Sequence, residues 1–163
     1  MADRVSVSFT LGGSLSGDAY LELVAAIAAE ALSIEWDGPA IEPSHRTVGE
    51  PLTLLANEVA WGKVEALETF CAGHGLPYRV WSGGFLAEWG AERLIFRGDG
   101  APESFIADES DRVLIDRHEI VRRGSIEAIL AYFDEAEFTV PPLVVEGDPE
   151  VAVEDARQEA AHG

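Results

Sequence analysis

An α+β fold with a ferredoxin-like (split βαβ) core and a C-terminal β-strand and helix extension is predicted by three observations. Val5, Val7, Phe9 and Leu11 alternate with Ser6, Ser8 and Thr10, the period of a strand with one buried face. Two segments, about 17–32 and 64–74, carry apolar residues at helical spacing. Short apolar runs at 33–36, 52–61 and 78–81 sit around them, so the order over residues 4–82 reads βαββαβ.

Each element has a local reason. After the first strand, Leu11-Gly12-Gly13-Ser14-Leu15-Ser16-Gly17 reads as a turn, with Ser16 as N-cap and Asp18 in the first helical turn. Tyr20, Leu23, Val24, Ile27 and Ala31 form the inner stripe of that helix. A loop rich in Pro and Gly follows at 37–51, then the third strand, which Gly62 interrupts. The second helix buries Val64, Leu67, Phe70 and Cys71. His74-Gly75-Leu76-Pro77 supplies a left-handed glycine, an apolar residue and a proline to stop it.

Beyond residue 82 the pattern predicts an extension over 83–140. Strands are expected near 93–97, 104–108 and 112–116, with a hairpin turn at Gly98-Asp99-Gly100. A last helix over 125–136 is expected to bury Ile126, Ile129, Leu130 and Phe133. Residues 1–140 thus read as one domain, and 141–163 as an extended acidic tail entered through Pro141-Pro142.

Composition limits the function. The chain has 163 residues, 47% hydrophobic and 25% charged, values of a folded chain able to bury a core without disulfides. Thirty acids against eleven bases give a net charge of −19, which argues against direct binding to nucleic acid or to an anionic membrane. The most apolar segment, 21–32, is broken by Glu22 and Glu30 and is too short to span a bilayer. The single cysteine, Cys71, excludes an intramolecular disulfide, so a cytoplasmic setting is expected.

Familiar chemical motifs fail on inspection. Gly12 and Gly17 have the spacing of a phosphate-binding loop, but Asp18-Ala19 stands where Lys and Ser or Thr are needed. His118-Glu119-Ile120-Val121-Arg122 lacks the second histidine of a zinc helix, and Cys71 with His74 is better explained by packing and helix termination. Cys71 also falls among Glu65 and Glu68, which disfavour a thiolate nucleophile. No metal, no cofactor and no catalytic residue is expected.

Two constellations remain. Carboxylates lie off the apolar stripes of the helices: Asp18 and Glu22 on the first, Glu65 and Glu68 on the second, and Glu127, Asp134 and Glu135 on the last. With Lys63 as the only lysine, they suggest a non-enzymatic acidic module that docks on a basic protein surface; its sharpest form is a nucleic-acid mimic that inhibits a DNA- or RNA-handling protein. The alternative is a small-ligand-binding protein or enzyme with an aromatic pocket around Trp81 and Trp89, rimmed by Arg79, Glu88 and Arg93. Each of the four tryptophans lies within two residues of a glycine, at an expected strand end. Assembly of the chain with further copies, the tryptophans closing an interface, is a third possibility.

Overall fold

The computed structural model describes residues 4–85 and 89–149. Among them are two sheets and four α-helices, a mixed α+β arrangement. The strands are β1 (Arg4–Leu11), β2 (Gly13–Leu15), β3 (Leu52–Ala60), β4 (Tyr78–Ser82), β5 (Glu92–Phe96), β6 (Glu103–Ile106) and β7 (Leu143–Val145). The helices are α1 (Gly17–Ala29), α2 (Glu65–His74), α3 (Arg117–Arg123) and α4 (Ile126–Ala136).

The main sheet runs β3-β1-β4-β5-β6 with every neighbouring pair antiparallel. Alternation along β1 buries Val7, Phe9 and Leu11 on one face, where Leu54 and Tyr78 join them. There α1 contributes Tyr20, Leu23 and Ile27, and α2 contributes Leu67 and Cys71. On β5, Phe96 belongs to this core, whereas Ile95 points to the other face and packs with Phe105, Tyr132 and Ala136. Helix α4 therefore covers the opposite face of the sheet, at its β5–β6 end.

Helix boundaries follow capping chemistry. Ser16 Oγ accepts from Ala19 N–H at 3.2 Å and starts α1. The helix ends at Ala29, short of the expected Leu32, because Ala31 takes a left-handed conformation and turns Leu32 into the core. Gly75, at φ 65°, closes α2; Leu76 N–H donates to Cys71 O at 2.9 Å, the bond of the expected glycine stop.

Several expected elements differ. Of the strand at 33–36 only Ser33 pairs, with Leu55, before a turn at Glu35–Gly38 carries the chain away. The strand at 112–116 shrinks to a single bridge, Ala107 to Val113. Its ends are taken by side chains: Asp108 accepts from Ser110 and Arg112 N–H, and Asp116 caps α3 by accepting from Glu119 N–H. Helix α3 was not anticipated, although Asp116, Glu119 and Gly124 stand at its N-cap, first turn and left-handed stop.

Helix α4 is rotated from its expected stripe. Tyr132 and Ala136 are buried, whereas Ile126 and Leu130 are 75% and 57% exposed. The Tyr132 ring meets Phe105 edge-on at 5.4 Å and its hydroxyl donates to Leu114 O at 2.9 Å, which sets the rotation.

Residues 141–149, expected as the start of the tail, return to the fold. Leu143 and Val145 are buried, and β7 pairs in parallel with β2. Asp148 ties this segment to Arg46 at 2.5 Å and caps Val145 N–H at 3.0 Å. The remainder of that stretch, 150–163, lies outside the described residues. No helix among the described residues is long and apolar enough to cross a membrane.

Candidate functional site

The carboxylates expected to form one ridge fall on two faces. Helices α1 and α2 pack side by side, and Asp18, Glu22 and Glu65 are exposed on them. Glu127, Asp134 and Glu135 are exposed on α4, across the sheet, and Glu135 also lies 3.6 Å from Arg123. The two groups share no surface, because β5 sends its odd and even residues to opposite helical layers. Glu68 is half-buried; burial chiefly raises its pKa, Lys63 opposes the shift, and Glu65, Glu92 and Glu30 reinforce it. Glu30 is itself engaged, accepting from Ala66 N–H at 3.0 Å at the start of α2.

The aromatic pocket expected around Trp81 and Trp89 divides into two sites. Trp81 and Arg79 lie on the β4 face turned away from α1 and α2, in a groove with Ser8, Thr10 and Asp111. Trp81 Nε1–H donates to Asp108 O at 2.9 Å, and Arg79 Nη2 donates to Asp111 Oδ2 at 3.1 Å. Arg93 lines neither this groove nor the hollow beside Trp89: it is 3% exposed and donates to groups within the fold. Its Nε binds Asp111 Oδ1 at 2.9 Å, Nη1 binds Ala136 O at 2.7 Å, and Nη2 binds Asp111 O. Glu88 lies outside the described residues.

Trp89 belongs to a different cluster at the end of the sheet. Its ring centroid is 5.8 Å from that of Trp61 and 5.3 Å from that of Phe85, with tilts of 37° and 26°. Trp61, Lys63, Ser82, Trp89, Gly90 and Glu92 line a hollow of about 450 Å³ there. Lys63 Nζ stands 4.0 Å from Glu92 Oε1, so the rim carries a cation, a carboxylate and a hydroxyl.

The backbone reaches this shelf through strained turns. A bulge opposite Ser6 places Glu58 at φ 57°. Trp61 at φ 57° and Gly62 at φ 65° follow as consecutive left-handed residues, closed by Lys63 N–H donating to Ala60 O at 3.1 Å. Glycine is favoured at 62 by its positive φ and by tight space, since a Cβ there would sit 3.0 Å from Ser82 Cβ and 3.1 Å from Val5 Cγ2. Trp61 was not among the expected pocket residues. The Trp61-Gly62 pair was visible, but nothing local said that its ring would meet Trp89, 28 positions on.

Cys71 and His74 offer little chemistry. Burial, with a contribution from Glu68, pushes the Cys71 thiol up to about 12. His74 stacks on Phe70 at 4.1 Å and shares a hydrogen bond with Phe70 O. Among the described residues no three metal-ligating side chains converge. Comparison with protein-family models, curated proteins and solved structures finds no match for this chain.

Proposed function

We propose that the chain is a small-ligand-binding protein whose site is the shelf of Trp61, Trp89 and Phe85. The observation that carries this reading is Trp61. A left-handed conformation costs a side-chain-bearing residue roughly 1–2 kcal/mol, and such strain concentrates at functional sites. Here it holds an indole ring that is 53% exposed beside the Trp89 ring, which in turn stacks on Phe85. The rim offers donors and acceptors of both charges in Lys63, Ser82 and Glu92, which suits a neutral ring with a polar edge, such as a sugar, better than an ion.

The test is tryptophan fluorescence of the full chain titrated with neutral mono- and disaccharides. Saturable quenching that Trp61→Ala removes, with the melting temperature otherwise kept, supports the proposal. Absence of any saturable change across the panel, or quenching that survives Trp61→Ala, overturns it.

A second reading keeps a basic protein surface as partner of Asp18, Glu22, Glu65 and Glu68. Its support is the exposure of Asp18, Glu22 and Glu65 on two helices that pack side by side. The nucleic-acid-mimic form needs one long row of charge, and the separation of Glu127, Asp134 and Glu135 from the other four weighs against it. A partner retained at low salt and released by neutralising those four residues together would favour docking over ligand binding.

The same proposal extends to the fold and setting. The strand order β3-β1-β4, with Ser33 bridging the outer edge of β3, supports a split-βαβ core with a vestigial second strand. The protonated, buried Cys71 thiol suits a reducing, cytoplasmic compartment.

A further inference from the structure

The second face of the main sheet is only partly covered, and the groove at the edge of that cover has its own chemistry. In the antiparallel register of β1 and β4, Thr10 stands opposite Arg79 and Ser8 opposite Trp81, all on this face. Phe138 and Thr139, in the segment leaving α4, also line the groove. The enclosed space is about 250 Å³, below the usual range for a drug-sized ligand.

Charge inside the groove runs against that of the whole chain. Asp111 accepts from Arg93 on its buried side and from Arg79 on its open side, so two guanidinium groups share one carboxylate. That leaves a local charge of +1 in a protein of net −19. Arg93 is buried, and each of its three nitrogens already donates to a group within the fold. Arg79 uses only Nη2, and among the described residues its Nε and Nη1 have no hydrogen-bond partner. Ser8 Oγ is likewise without a partner among the described residues, and the Trp81 ring is held in place by its bond to Asp108 O.

We infer that this groove is a second binding site, independent of the tryptophan shelf, for a small organic carboxylate with an apolar ring. The carboxylate takes the free donors of Arg79, with the Ser8 and Thr10 hydroxyls beside it, and the ring lies between Trp81 and Phe138. A guanidinium fork matches a carboxylate in geometry. One unneutralised positive charge suits a monoanion, whereas a phosphate dianion would enter with charge in excess.

Benzoate, benzamide and inorganic phosphate are the probes, titrated into the ¹⁵N-labelled full chain while the Trp81 indole N–H is followed by NMR. Saturable benzoate shifts at that signal are expected, with benzamide at least ~10-fold weaker, the loss of one charge-assisted hydrogen bond. Arg79→Gln should weaken benzoate by a similar factor and Arg79→Lys by less, while Trp61→Ala should leave it unchanged. Ser8→Ala serves as a second variant if Arg79→Gln fails to fold, and it should weaken benzoate measurably. Equal binding of benzamide, equal or tighter binding of phosphate, indifference to Arg79→Gln or to Ser8→Ala in folded protein, or no shift with benzoate overturns the assignment. Loss of benzoate binding in Trp61→Ala would also overturn it, by merging the two sites.

Discussion

Arg93 and Arg79 reach the same carboxylate from different depths, so replacing each by methionine separates a structural arginine from an available one. Methionine keeps much of the aliphatic volume and removes the charge and all donors. In Arg93→Met, Asp111 loses its buried partner at 2.9 Å, Ala136 O at the end of α4 loses a donor at 2.7 Å, and Asp111 O loses a third. Losing a buried guanidinium that holds three acceptors costs about 3–5 kcal/mol, chiefly because Ala136 O and Asp111 O lose their donor inside the fold. At about 2–4 °C per kcal/mol for a chain of this length, the melting temperature should fall by roughly 6–20 °C. Arg79→Met removes one bond from a side chain that is 32% exposed, for which about 0–1 kcal/mol is expected. Urea unfolding of both variants, followed by circular dichroism, measures the contrast. If Arg93→Met loses less than ~1 kcal/mol, or no more than Arg79→Met, then Arg93 does not anchor α4 to the sheet.

Three further outcomes are expected. Cys71, its thiol pushed up to about 12, should resist an aromatic disulfide reagent at pH 8 in the native protein and react in urea; fast native labelling would contradict its burial. Glu68 holds its proton to higher pH when folded than unfolded, so stability falls as pH rises from its ordinary value of 4.5 to its raised one. Glu68→Gln should therefore raise the urea midpoint at pH 7 and change little at pH 3, and a lower midpoint at pH 7 would refute this. Gly12→Ala places a Cβ 1.7 Å from Pro141 O and should lose about 1–3 kcal/mol by forcing β2 and β7 apart. Gly17→Ala meets nothing within 4 Å and serves as the neutral control in the same thermal melt.

Local signals carried much of the architecture. The alternation of Val5 to Leu11, the Ser16 cap and the Gly75 stop each act within a few residues, and each element stands where they put it. Helix α3 has its local signals in Asp116, Glu119 and Gly124, which compete with the β-like run at 112–116. The rotation of α4 was not legible. Ile126, Ile129, Leu130 and Phe133 make a regular stripe, yet Tyr132 wins the buried position because Phe105 and Leu114 O await it on other elements.

The sites divide along the same line. By itself the sequence determined the net charge, the break of the third strand at Gly62, and an arginine in place of the second zinc-helix histidine at position 122, since these depend on residue identity or on adjacent backbone alone. Only the tertiary structure decided that Trp61 meets Trp89, on which Phe85 stacks, rather than the core, and that Trp81 faces a separate groove. It also buried Arg93 beneath Asp111 while leaving Arg79 open, and it put α4's carboxylates on the far side of the sheet. The physical reason is that strand register fixes each side chain's face, while the partners waiting on that face come from segments tens of residues away.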